Sequence, residues 1–280
     1  MRLRRPALIA IVCAAIAIGA LGFFARPVGT PDATRVVAVY AGGGDVPSNL
    51  LRMYVEFSAP MEPGSTYQNI HLVDDEGHEV SDAFLELREE LWSADRRHLT
   101  LLFDPGRVKR GIRSNVEMGA PLVAGQRYRF VIDPAWRDAS NRPLGTAFVE
   151  ELRVAGFDSV LPDPAHWSIS SPRARSRDTL RVSFGEALDH ALALRMIAVV
   201  DSVGRRLPGS AALSAADRGW MFVPASGWCV GARLRVESGL EDLAGNNVVR
   251  PFDADRLAGG RGAEAAEADT TPRLIAVVLR

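Results

Sequence analysis

The sequence predicts an all-β protein made of two tandem β-sandwiches behind an N-terminal signal or anchor helix. Three observations carry this reading. Short runs with apolar residues at every second position recur between turn-forming clusters. No sustained helical period follows residue 26. One stretch also occurs twice: Leu51 to Val80 is echoed by Leu180 to Leu207, with Phe57 matching Phe184 and Gly77 matching Gly204 at the same offset of 127 residues. An ungapped internal repeat of this kind means two units of one design.

The N-terminus is set aside first. Arg2, Arg4 and Arg5 precede an uninterrupted apolar run from Ala7 to Ala25, closed by Arg26. A basic lead and an apolar run are an export signal. The run of 19 residues approaches the roughly 20 needed to span a bilayer. Two outcomes therefore stand: cleavage after Gly22 or Ala25, or retention as an inner-membrane anchor through residues 7–25 with the arginines on the cytoplasmic side.

Beyond it, Arg35 to Tyr40 is β-branched and aromatic and stops at Gly42-Gly-Gly44, a strand and a turn. Leu51, Met53, Val55 and Phe57 alternate with polar neighbours, the period of a strand with one face in a core. Ile70 to Val73, the turn around Gly77 and Val80 predict a hairpin. Ala83 to Leu87 reads as a strand, and Arg88 to Asp95 carries no clear period. His98 to Phe103, Arg127 to Asp133 and Ala147 to Val154 complete the first series, with Trp136 to Leu144 as a polar loop.

A stretch rich in Pro, Ser and Arg, Phe157 to Arg177, marks the junction, with Trp167 expected to pack against the second unit. The series then repeats in Leu180 to Phe184, Ile197 to Val200, Trp220 to Val223 and Ala232 to Val236. The last apolar run, Leu274 to Leu279, needs a partner strand, because a free run of this kind is aggregation-prone. It either returns to an edge of its own sandwiches or adds to another protein. The expected divisions are 1–26, 34–155, 156–177, 178–256, a flexible linker over 257–272 and a C-terminal strand over 273–280.

Composition narrows function. Of 33 basic residues, removal of Arg2, Arg4 and Arg5 leaves 30 against 34 acidic ones. That balance gives no electrostatic footprint for nucleic acid. Cys229 is the one cysteine beyond the signal, so no intrachain disulfide forms, and its place between Trp228 and Val230 predicts burial.

Phe57-Ser-Ala-Pro-Met61, the Gly-centred hairpin, a strand ending in Pro, Gly125-Gln-Arg-Tyr128 and Asp242-Leu-Ala-Gly-Asn246 follow one another in a recognisable order. Over Thr34 to Asp255, about four fifths of the chain, this resembles the bacterial Ig-like domains of the SbsA type, found in tandem in exported and surface proteins. The first copy departs at the last motif, where Trp136-Arg-Asp-Ala-Ser-Asn141 keeps only the turn-forming Asp138 and Asn141. The resemblance implies Ig-like sandwiches, a role in spacing, adhesion or assembly outside the cytoplasm, and no catalysis.

Asp242 to Asn247 with Glu241 offers oxygens to calcium, which needs six to eight; the simpler reading is a turn with Gly245 and Asn246 in left-handed conformations. His71, His78, His98, His166 and His190 lack metal-ligand spacing. Glu86, Glu89 and Glu90 lie among arginines and read as a solvated edge rather than a glycosidase pair. No nucleophile elbow, phosphate loop or zinc-protease helix is present, so no enzyme activity and no cofactor are expected.

Trp92 and Trp136 fall in loops, where they are candidates for stacking on sugars. Comparison of the copies adds one feature. Pro105 to Gly125 spans 20 positions where Pro224 to Gly231 spans 7, so the first unit carries an insertion of 13. It holds Arg107, Lys109, Arg110 and Arg113, and loops on a rigid sandwich are where recognition is placed. The alternative is that the loop folds back on its own domain with Met118 and Leu122 as packing groups.

The sequence thus points to a non-enzymatic exported module of the periplasm or cell surface that binds an envelope protein or glycan or acts as a spacer. The alternative is a carbohydrate-binding accessory protein using Trp92, Trp136 and the inserted loop.

Overall fold

Alternating strands bury every second side chain only when two sheets face each other, and the chain does this twice. The computed structural model describes residues 33–254 and 270–280; the signal or anchor segment and most of the expected linker lie outside the described residues. In the first sandwich one sheet has the order β1 (Val36–Tyr40), β3 (Arg52–Phe57), β6 (His98–Leu102), β5 (Leu91–Trp92). The other has β2 (Asp45–Val46), β8 (Phe148–Val154), β7 (Arg127–Ile132), β4 (Ile70–Asp74). Met53, Val55, Phe57, Leu99 and Leu101 from the one meet Leu72, Phe130, Ile132 and Leu152 from the other in a single buried core.

The second sandwich repeats the order. Its sheets are β9 (Ser168–Ile169), β10 (Leu180–Ser183), β13 (Gly219–Pro224), β12 (Gly209–Leu213), and β11 (Ile197–Val200), β14 (Arg233–Val236), β15 (Arg273–Ala276). Trp167, Phe184, Trp220, Phe222, Trp228 and Leu234 fill its core. Phe57 and Phe184 are both buried, as the repeat requires.

The hairpin turns match atom for atom. Asp74 Oδ1 accepts from the amides of Glu76 and His78, and Asp201 Oδ1 from those of Val203 and Arg205. Gly77 and Gly204 hold φ of 89° and 86°, which a side chain would strain. A second shared turn lies 104 residues apart. Asp138 Oδ1 takes the amides of Ser140 and Arg142, and Asp242 Oδ1 those of Ala244 and Asn246. Asn141 and Gly245 are the left-handed residues of the two turns; Asn246 is not one of them.

Several expectations are corrected. Ala83 to Leu87 forms no strand; only a bridge joins Phe84 to Phe103, because Asp82 at φ 51° breaks the extended run before it starts. The unassigned stretch instead supplies β5. Among the described residues four short helices occur: α1 (Thr66–Asn69), α2 (Pro105–Val108), α3 (Arg113–Met118) and α4 (His190–Met196). Trp136 is not in a solvated loop: it is buried with its ring centroid 5.3 Å from that of Phe57 in an edge-to-face contact. Cys229 is exposed rather than buried, since the Trp228 side chain takes the inward position beside it.

The two sandwiches are joined by buried polar groups as well as by apolar packing. Ala187 and Leu243 of the second unit enter the first core, and the amide of Leu51 donates to the Leu243 carbonyl at 2.9 Å. Gly245 is required here for space as well as conformation, because a Cβ on it would come 2.5 Å from the Leu51 side chain. Asp189, only 1% exposed, caps α4 by accepting from the Leu192 amide at 2.8 Å. It also accepts from the Tyr54 hydroxyl at 2.8 Å and pairs with Arg52 at 3.2 Å, both on β3 of the first sandwich. Arg52 reaches Glu241 as well. Beside them the ring of Tyr40 stacks on His190 at 3.7 Å, and His190 Nδ1 lies 2.8 Å from Asp217.

Removal of one member of a buried pair strands the other in a dry site, which costs about 3 to 5 kcal/mol. Asp189→Ala is therefore expected to lose about that much in urea unfolding, and Tyr54→Phe about 1.5 to 3 kcal/mol for one hydrogen bond to a charged group. A loss under about 1 kcal/mol for Asp189→Ala refutes the view that this cluster holds the two sandwiches together.

Candidate functional site

The outer face of the first sheet becomes a site because of what α4 covers. Strand pairing sets Tyr40 beside Tyr54, Tyr54 beside Thr100 and Thr100 beside Leu91 in one row. The next row on the same face sets Glu56 beside His98. The period of two that turns Val55 and Leu99 inward turns these outward. α4 stands over them with Ala191, Leu194 and Arg195, and Trp92 closes one side. The result is a groove of about 740 Å³, within the size of small-ligand sites.

α4 itself follows from the sequence. Asp189 supplies the N-cap, the run His190-Ala-Leu-Ala-Leu-Arg-Met holds good helix formers, and Leu192 and Ala193 are the buried face. The β-branched strand β11 follows at once and stops it.

The groove is apolar with its polar groups on the floor. Leu91 and Leu194 are 39% and 38% exposed, on opposite walls. Glu56 accepts from the Tyr40 hydroxyl at 2.6 Å and lies 3.9 Å from His98 Nε2. Burial, then the hydrogen bond to Glu56, push Tyr40 up to about 12. Burial and the charge of Asp189 raise Tyr54 further above the ordinary phenol range. Both hydroxyls therefore stay protonated and act as donors to fixed carboxylates.

The residues singled out from sequence fare unequally. Trp92, on β5 opposite the inward-facing Leu99, borders the groove but turns its half-buried ring toward the core, 5.8 Å from Phe57 and 5.9 Å from Trp136, with its indole N–H donating to Glu90 at 2.7 Å. Trp136 is inside the core and meets no ligand from there. Arg107 is buried and donates to the carbonyls of Ser81, Asp82 and Gly119, so it fastens the insertion to its own domain. Lys109 lies 4.6 Å from the Phe252 ring, and Arg110 lies 3.8 Å from Phe157 and 3.5 Å from Asp253. Arg113 pairs with Glu117 on the exposed helix α3. Leu122 packs inward while Met118 remains exposed. The insertion thus spends most of its charge on internal contacts. Glu56 and Leu194 carry no signal in the sequence, and His98 enters it only as a histidine without metal-ligand spacing; outward positions of strands and a seven-residue helix carry no motif.

A second polar cluster lies on the other side of the joint. Among the described residues, Asp158, Glu186 and Asp242 bring carboxylate oxygens within 4.8 Å of one another. Asp242 already accepts two backbone amides and the Asn246 side-chain amide, which supports the turn rather than a calcium loop. Burial, then Asp242 and Asp158, push Glu186 up to about 7. Burial also lifts Asp242 to about 7 despite its Asn246 hydrogen bonds. Its counterpart Asp138 behaves oppositely: burial works to raise it, but hydrogen bonds from Thr34 and Arg142 outweigh that and hold it at about 2.

No protein-family model matches the chain, and no curated protein matches it in sequence. Among solved structures, the chain is similar to native alpha-2-macroglobulin from Escherichia coli spanning domains MG0-NIE-MG1, with a TM-score of 0.30 and 11% identity over 61% of this chain and 45% of that one. It is also similar to the surface layer protein SbsC, domains 1-6, with a TM-score of 0.30 and 12% identity over 74% of this chain and 23% of that one. The chain spans less than half of either structure's length. Likenesses of this size carry no functional argument. Among the described residues no helix is long and apolar enough to cross a membrane.

The acidic cluster sets a pH dependence. Glu186 and Asp242 hold protons in the fold up to about pH 7 but release them near 4.5 and 3.8 when unfolded. Their contribution to stability is present below the unfolded values and is lost as pH rises through about 7. The melting temperature is therefore expected to fall between pH 4 and 7, and Glu186→Gln to flatten that slope. A flat wild-type profile over this window, or a slope untouched by Glu186→Gln, counts against protonation of this cluster in the fold.

Proposed function

We propose that this chain is an exported, non-enzymatic tandem Ig-like module of the SbsA type, and that its ligand is held in the groove between the first sheet and α4. The observation that carries the reading is the groove itself, whose two walls come from different sandwiches locked by the Asp189 cluster. A site with rigid walls loses little entropy on binding, which is how modest contacts yield useful affinity. Export to the periplasm or cell surface rests on the basic lead and apolar run of residues 1–26. Retention of that run would tether the module to the inner membrane.

A glycan is the favoured ligand over an envelope protein because of the floor. Tyr40 and Tyr54 offer aromatic surface, and Glu56, His98 and Thr100 offer polar groups to hydroxyls. This replaces Trp92, Trp136 and the inserted loop of the sugar-binding reading with the groove.

A glycan array followed by titration calorimetry tests the reading. Leu194→Glu and His98→Ala are expected to weaken binding at least tenfold, about 1.4 kcal/mol or more. Leu194→Glu should leave the melting temperature within a few degrees, since Leu194 is not part of the core. Binding that survives both changes places the ligand elsewhere, and binding of an envelope protein but no glycan replaces the glycan with a protein partner.

A further inference from the structure

Among the described residues, the apolar C-terminal strand β15 is paired with another strand on one side only. β15 runs antiparallel to β14, with Ile275 opposite Leu234 and Arg273 opposite Val236. The Val277 amide donates to the Ala232 carbonyl at 3.0 Å, so by the alternation of an antiparallel ladder residues 273, 275 and 277 face β14. The amides and carbonyls of Leu274, Ala276 and Val278 face away from it. Among the described residues these groups have no partner. Past them the edge is taken again, by Pro172 and Ala174, which exchange hydrogen bonds with Arg280.

The same position in the first sandwich is guarded. The corresponding strand is β8 beside β7: β2 pairs with its end at Arg153 and Val154, and ahead of that end it carries Glu150 and Glu151, with Glu151 paired to Arg127 and Arg153 to Asp45. Charges on an edge strand are the usual defence against pairing with another chain. In the second sandwich, Leu274 to Leu279 carries no charge at all. Leu274 and Val278 stand 50% and 67% exposed on the outer face. Among the described residues, one copy of the design is protected and the other is open.

We propose that this edge is an interface between two copies of the chain, joined antiparallel through β15 about a two-fold axis at Ala276. A two-fold contact requires a surface that matches itself, and this one does. With Ala276 opposite Ala276, Leu274 faces Val278 and Arg273 faces Leu279, so no like charges meet. About six backbone hydrogen bonds form between the outward groups of residues 274, 276 and 278. The two three-stranded sheets become one sheet of six.

Cysteine cross-linking of the full-length chain tests it, in a background of Cys13→Ser and Cys229→Ser. In a hydrogen-bonded antiparallel pair facing Cα atoms lie about 5.5 Å apart, inside the roughly 4.4 to 6.8 Å range for a disulfide. Ala276→Cys is expected to give at least tenfold more oxidised dimer than Val203→Cys, a control on the exposed hairpin turn. Adding Leu274→Lys and Val278→Lys to Ala276→Cys should abolish that dimer with an unchanged melting curve, since both side chains are on the surface. Equal cross-linking of Ala276→Cys and Val203→Cys overturns the proposal. So does dimer that survives the two lysines, or cross-linking of Ala276→Cys only to a different envelope protein.

Discussion

Asp189 is the group on which the arrangement of this molecule turns. A carboxylate almost wholly removed from water is tolerated only if its oxygens are filled by donors and a counter-charge. Here the Leu192 amide, the Tyr54 hydroxyl and Arg52 do so. One donor belongs to the second sandwich and the other two groups to the first. The condition that satisfies Asp189 is therefore the same condition that docks the sandwiches. It also starts α4 at a fixed point above the first sheet, so the groove inherits its shape from the joint.

The duplication explains why the two halves are alike and why they differ. Both retain the Asp turn at the same place, bridged to Met61 in one copy and Leu188 in the other. In the first copy that turn ends at the surface, with Arg142 at hand, and its carboxylate is held ionised. In the second copy the turn abuts the first sandwich beside Asp158, where burial favours the proton. Identical backbone chemistry thus gives opposite charge states, and the difference comes from docking rather than from the motif.

Much of this fold was legible in the sequence, and the reason is local. Period-two burial marks β3, β6, β7 and β10, and the 127-residue offset marks Phe184 and Gly204 as counterparts of Phe57 and Gly77. What was illegible depends on partners far along the chain. β12 is a run of small exposed residues that becomes a strand only because β13 is there to pair with it. Trp136 sits among polar residues, and its burial is decided by Phe57, 79 positions earlier. α4 is one short run between an aspartate and a β-branched strand, too brief for its period to show. The groove needs Tyr54 and His190 together, and no spacing rule connects them.

The inserted loop shows how a basic stretch misleads when read alone. Arg107 is the clearest case: a guanidinium with several donors in a fixed fork suits a cluster of backbone carbonyls as well as it suits an anionic ligand. Buried against Ser81, Asp82 and Gly119, it answers the unpaired carbonyls that an irregular loop creates. Lys109 and Arg110 then lie against aromatic rings at Phe252 and Phe157, in and beside the second sandwich, where a cation over a ring is stabilised by the ring's negative face. The insertion is a strut from the first sandwich toward the second, its cations spent on contacts within the molecule.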